Sequence, residues 1–400
     1  MENINKGKSP FYPGQPVPVE LFTGRMNEIS RIQRAISQVE QGKFQAIFLT
    51  GEYGIGKSSL AGFARALAEI NYHLFGIHIL LGNAKTIDDI SAKTIQTVLQ
   101  TPAFEPKVFE NIRNFLARYV GKQELFGFGI NLEVLKTDAP QISRGYLPFL
   151  NDMLSKLSEQ GIKGLMLIFD EINGIADTPE FAHFIKSLVD ENALRKVPVP
   201  LLLMLCGVEE RRYEMIKHHQ SLERIFDIVE IYPMNDSEMT EFYIKAFDTQ
   251  GIKVNDSALS SLCHYAQGFP KIMHIIGDAV FWLDKDNYID DYDALNGILT
   301  AAEEIGKKFV DHQVYSELHS KDYHSILGKI GRQCTDLSFN KKDLESGLTI
   351  AEKKKFNNFL QRMKKLKALK SGNQRGEYVF LNRLVPLYIF LKTAKIELPK

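Results

Sequence analysis

Two hydrophobic rhythms run along the chain, and the change from one to the other divides it. In the first half short apolar runs stand out: Gln45–Thr50, His73–Leu81, Gly164–Phe169 and Pro198–Cys206. Runs that are apolar at almost every position predict strands covered on both faces, as in a parallel sheet. Between them apolar residues recur at helical spacing. Ile29, Ile32 and Ile36 follow Met26, and Leu60, Phe63, Leu67 and Ile70 predict the inward face of the next helix. The stretch from Lys85 to Leu157 reads as mostly helical, interrupted by Leu125–Ile130, a strand or hairpin whose glycines lack dinucleotide-fingerprint spacing. Strands alternating with helices predict a doubly wound parallel sheet.

After Pro233 the rhythm is helical only. Asn235 and Glu238 form a capping-box pair, a second helix opens near Asp256 with Leu259 and Leu262 inward, and a third follows Pro270. From Val314 onward two or three helices precede a turn, Ser371–Gly376, and a strand-like segment, Glu377–Leu381. At the other end, Pro10, Pro13, Gly14, Pro16 and Pro18 make residues 1–21 an extended arm. The expected division is an α/β core over 1–234 including that arm, a helical subdomain over 235–312, and a C-terminal module over 313–400.

Composition adds exclusions. Apolar residues at 44% and charged residues at 24% exclude wholesale disorder. Three dispersed cysteines, Cys206, Cys263 and Cys334, have no metal-ligand spacing and fit a reducing compartment. The longest uncharged apolar stretch, Val197–Val208, is too short to span a bilayer, and the first residues lack a signal-peptide core. The expectation is a cytoplasmic protein without a membrane partner. Formal net charge is zero, yet residues 321–400 hold 18 Lys and Arg against 7 Asp and Glu. A basic fifth on an acidic body suits a module that meets a polyanion, or equally a helix face solvated by lysines.

The sharpest signal is Gly51-Glu-Tyr-Gly-Ile-Gly56-Lys57-Ser58, which fits G-x-x-x-x-G-K-[ST] between an apolar strand and an amphipathic helix. Glycines let consecutive backbone N–H groups converge on phosphate oxygens, and the helix adds its positive end. Gly51, Gly54, Ile55, Gly56, Lys57, Ser58 and Ser59 are the candidate phosphate-binding residues. Lys57 is placed for the β and γ phosphates and Ser58 for Mg²⁺. Leu165–Phe169 then ends in Asp170 and Glu171, which suits a metal-holding carboxylate and a base for the attacking water. Lys57, Asp170 and Glu171 are the candidate catalytic set, with Ser58 and Asp170 on the metal.

These motifs resemble the AAA+ and STAND class of P-loop ATPases, near the archaeal/bacterial ATPase group and the origin-recognition ATPases. Ser9–Val17 followed by Phe22-Thr-Gly24-Arg25-Met-Asn-Glu28 is similar to the group's N-terminal box, and Gly268-Phe269-Pro270 to the G-x-P motif of STAND lids. The resemblance covers residues 9–310 well and the last module loosely. It implies an α/β, doubly wound parallel P-loop NTPase sheet with a helical lid and a C-terminal winged helix-turn-helix. It implies ATP and Mg²⁺ as cofactors, Arg25 beside the nucleotide and Pro270 facing it from the lid, and slow or partner-stimulated turnover. Cys206 and Gly207 depart from the family's polar sensor residue, and Lys271 stands where some relatives carry arginine. Arg224, Arg211 and Arg212 compete as the arginine supplied to a neighbouring subunit in a homo-oligomer.

In the last module Thr349 and Glu352 make another capping box, and Phe356, Phe359, Leu360, Met363 and Leu366 form a core stripe. Lys353, Lys354, Lys355, Arg362, Lys364 and Lys365 lie away from it. The helix, turn and strand read as a winged helix with duplex DNA as the expected partner. The implied setting is replication, transposition, mobile-element biology or defence, and a signalling switch whose last module grips protein stays open. His218 and His219 read as surface histidines, and Trp282 as packing.

Overall fold

A computed structural model describes residues 6–100, 116, 145–333 and 336–394. The expected Leu125–Ile130 hairpin and Cys334 lie outside them. The chain divides into two compact units, one of residues 16–232 and one joining the N-terminal fifteen residues to 233–400.

The first unit is built on five parallel strands: β1 Gln45–Thr50, β2 Leu74–Leu80, β3 Gly164–Asp170, β4 Leu201–Gly207 and β5 Asp227–Glu230. Their order is β2-β3-β4-β1-β5. Every residue of β3 and β4 is buried, which is why both read as unbroken apolar runs. Alternate side chains divide between the faces. Phe75, Ile77, Leu165, Leu167, Phe169, Leu203 and Leu205 join a core with helices 87–100, 146–158 and 179–194. The opposite face carries Met166, Ile168, Met204 and Cys206, and helices 26–40 and 57–72 pack on these strands. The sheet is doubly wound, as the alternation predicts.

Helix Lys57–Tyr72 departs from its predicted stripe. It buries Leu60, Ala61, Ala64 and Ala68, whereas Ile70 is 70% exposed and Leu67 only half-buried. Three alanines on one face let the helix lie close on the strands, and that close approach outweighs burial of the larger side chains farther along.

The second unit begins with helices 236–248, 256–266, 270–283 and 291–305 and a short parallel pair, β6 Lys253–Val254 and β7 Tyr288–Ile289. The predicted capping box of Asn235 and Glu238 is present. The arm is anchored in this unit through Phe11, whose ring lies 4.9 Å from that of Phe247 and fills the space a side chain on Gly277 would take. Trp282 is 55% exposed rather than packed, because its neighbour Phe281 takes the inward direction and successive helical side chains diverge. A π-helix, Gly306–Tyr315, leads into helix 321–333, β8 Ser338–Asn340, helix 341–345, helix 350–365, β9 Leu369–Ser371 and β10 Glu377–Phe380. The last three strands form an antiparallel sheet in the order β8-β10-β9. Helix 384–394 serves two cores at once. Leu384, Leu387 and Leu391 join the four-helix cluster, and Val385, Tyr388 and Ile389 join the cluster around Phe356 and Phe359. Among the described residues no helix is long and apolar enough to cross a membrane.

Candidate functional site

The loop between β1 and helix 57–72 is shaped by its glycines. Gly54 and Gly56 have φ of 77° and 99°, values that side chains disfavour, and Gly56 caps a helix whose first N–H groups lack intrahelical acceptors. The Lys57 ammonium turns back into this loop and donates to the carbonyls of Gly51 at 2.8 Å and Glu52 at 2.9 Å. Burial lowers the Lys57 pKa, while the charges of Asp170 and Glu52 act to raise it. Ile55 is buried, Ser58 is half-buried in the helix's first turn, and the Ser59 hydroxyl accepts the Val17 N–H at 3.2 Å.

Asp170 ends β3 at 1% exposure. One carboxylate oxygen lies 3.0 Å from His78 Nε2, and the other accepts the Glu171 N–H at 2.8 Å. Strand register explains the grouping. Leu80 pairs with Asp170, His78 with Ile168, and Phe169 with Leu205, so His78, Asp170 and Cys206 share the face covered by helix 57–72. Burial, then the Asp170 charge, pushes the Cys206 thiol well above its ordinary value, so it remains neutral. A carboxylate such as Asp170 and a hydroxyl such as Ser58 are hard oxygen ligands of the kind that suits Mg²⁺.

Glu171 sits in left-handed backbone at φ 56°, a conformation that costs about 1 kcal/mol or more for a residue with a Cβ. Its carboxylate packs so close to Gly82 that a Cβ there would come within 2.6 Å of Oε2. Sequence reasoning passed over both His78 and Gly82. His78 lies two residues before the end of β2, but its partner is fixed only by the register of β2 on β3, a contact separated by some ninety residues of chain.

Arg25 directly precedes helix 26–40. It is buried, also left-handed, and donates to the Tyr232 carbonyl and, at 3.2 Å, to the Ile55 carbonyl. It thereby ties the end of the sheet to the phosphate loop from behind. Pro270 occupies the first turn of helix 270–283 in the other unit. Gly268 precedes it at φ 74°, where a Cβ would meet the Met234 carbonyl at 2.3 Å. Lys271 is exposed. Of the three competing arginines, Arg211 pairs with Glu214 and Asp177, and Arg212 with Glu209. Arg224 is exposed and, among the described residues, has no ionic partner. His218 is exposed, as expected.

A loop of left-handed glycines with a lysine inside it, leading into a helix and lying beside a buried strand-end carboxylate, is a triphosphate site. Residues 21–204 match the family described as AAA ATPase domain. The whole chain is also similar in fold to solved structures. The Walker-type ATPase PABY2304 of Pyrococcus abyssi gives a TM-score of 0.60 at 16% identity, covering 95% of this chain and 99% of that one. The Aeropyrum pernix ORC2 protein, solved as ADPNP-ADP complexes, gives 0.57 at 12% identity and 98% coverage of each. No curated protein matches the chain. The matched stretch carries the candidate site on its own strands, and the likeness in fold to these solved structures extends beyond it.

Proposed function

We propose that the chain is an ATP-driven molecular switch that acts on duplex DNA. The observation that carries the nucleotide reading is Lys57 folded into the glycine loop on the same side of the sheet as buried Asp170. In this reading the backbone of Gly51, Gly54, Ile55 and Gly56 and the side chains of Lys57, Ser58 and Ser59 hold the phosphates. Ser58 and Asp170 hold Mg²⁺, which shields the phosphate charge. Glu171 orients the water and takes its proton. Arg25 acts by holding the loop in shape, and Pro270 sets the start of helix 270–283. His78 is a positioning residue for Asp170.

The DNA reading rests on the C-terminal topology. Helix, strand, helix, helix, strand, turn and strand in that order, with an antiparallel sheet, is the order of a winged helix, and its long helix is rich in exposed lysine. We propose further that subunits associate on binding nucleotide and that exposed Arg224 serves the neighbour's site. Single-turnover hydrolysis by the full chain tests the assignment. Glu171→Gln should retain Mg·ATP while its hydrolysis rate falls by roughly 10²–10⁴. An unchanged rate would remove Glu171 from the chemistry. The rival switch, whose last module grips protein, predicts no affinity for duplex at low salt.

A further inference from the structure

Helix Ile350–Lys365 buries Phe356, Phe359, Leu360 and Met363 on one side. Directly opposite, at helical spacing, a stripe of exposed residues runs Lys354, Asn357, Asn358, Gln361 and Lys365. Three carboxamides stand at its centre and an ammonium at each end. The stripe carries no acid. Among the described residues none of the five is held by a hydrogen bond or ion pair, whereas Lys355 pairs with Asp322 and Arg362 with Glu317. The sequence alone drew attention to the lysines and missed the amides between them.

We propose, resting on the duplex-DNA reading above, that this stripe reads A·T base pairs in the major groove. Asparagine and glutamine are the side chains whose amide matches adenine, the carbonyl oxygen accepting from N6–H and the NH₂ donating to N7. Asn357 and Gln361 lie one helical turn apart, about 6 Å along the axis, which spans about two base-pair steps. Lys354 and Lys365, about 16 Å apart along the same axis, lie beyond the amides at either end and reach phosphates that border the groove. Arg375, exposed in the turn between β9 and β10, adds a further phosphate contact. An apolar, aromatic-anchored face would suit a protein partner. This one is polar at its centre and cationic at its ends, which complements DNA.

Selection of the full-length protein on duplexes with a randomised core, at about 150 mM salt, tests the proposal. The wild type should enrich sites with two or three adjacent A·T pairs. In Asn357→Ala/Gln361→Ala the preference for those sites should fall by roughly ten- to a hundredfold, with affinity for random duplex retained. Lys354→Ala/Lys365→Ala should weaken every duplex alike and reduce the slope of log affinity against log salt by about 2. Duplex binding without sequence preference, enrichment of G·C sites, or a preference that survives loss of the amides would overturn base reading and leave the DNA assignment standing. No duplex binding even at low salt would overturn both and point to a protein partner.

Discussion

At the scale of single residues the site depends on close approaches. Glu171 is held in a left-handed turn with its carboxylate against Gly82, and Asp170 is held between His78 and the Glu171 N–H. Gly82→Ala would drive a methyl group into the Glu171 carboxylate. Its expected effect is a drop in turnover of tenfold or more with the dissociation constant for Mg·ATP little changed, measured by steady-state kinetics alongside equilibrium binding. Equal loss of both would mean that Gly82 supports the phosphate loop instead. The phosphate loop and the two acids were legible in the sequence, because the spacing of the motif is local and the apolar runs before Thr50 and Asp170 announce their strands. The roles of His78 and Gly82 were not, since each arises where separate strands and loops meet. Arg25 was visible, but its hydrogen bonds to the Tyr232 and Ile55 carbonyls were not. A charged side chain that satisfies two backbone carbonyls inside a fold has the same signature in sequence as one that faces a ligand.

Among the elements, the capping boxes and core stripes were read from sequence because they depend on residues three and four apart. Helix 350–365 begins with Thr349 accepting the Glu352 N–H and the Glu352 carboxylate accepting the Thr349 N–H at 2.7 Å. Thr349→Ala should cost about 1 kcal/mol, read as a lower denaturant midpoint at unchanged slope. Burial acts to raise the Glu352 carboxyl, but hydrogen bonds from Lys329, Ser325 and Thr349 outweigh it and hold the carboxyl at about 2. Its contribution to stability is therefore complete above about 4.5 and lost as pH falls toward 2.

Helix 270–283 adds a second acid-sensitive group. His274 is buried with Nδ1 accepting the Tyr12 N–H at 3.2 Å and Nε2 without a partner among the described residues, and burial lowers its pKa from 6.5 to about 4. Below pH 6.5 the unfolded chain binds a proton that the folded chain refuses, so stability falls from 6.5 down to about 4, by at most about 1.4 kcal/mol per pH unit. His274→Gln keeps an acceptor and removes the proton. Thermal melts across that pH range should flatten in the variant; an unchanged slope would place the acid sensitivity elsewhere. The exposure of Ile70 and Trp282 shows the limit of periodicity. A helical stripe gives a direction, but how far along the helix that direction remains covered depends on the neighbouring elements.

For the molecule as a whole, the terminal helix 384–394 is buried in both the four-helix core and the C-terminal core, so hydrolysis would move these as one body. The sequence reading ended at the strand-like segment Glu377–Leu381 and did not include this helix, whose two faces are set by the two cores it joins. Arg224 belongs to this scale too. If it completes a neighbour's site, Arg224→Ala should lower turnover at high protein concentration by 10³-fold or more, with ATP affinity unaltered. A rate that is independent of both protein concentration and Arg224 would count against assembly-dependent turnover.

The effects on turnover presuppose that the glycine loop and Lys57 hold a magnesium-bound triphosphate. Titration calorimetry of the full-length protein with ATP and Mg²⁺ measures this directly. The expected result is saturable binding at one nucleotide per chain in the wild type and its loss in Lys57→Ala, with the variant still folded by circular dichroism. No heat from the wild type, or equal heat from both proteins, would contradict the account.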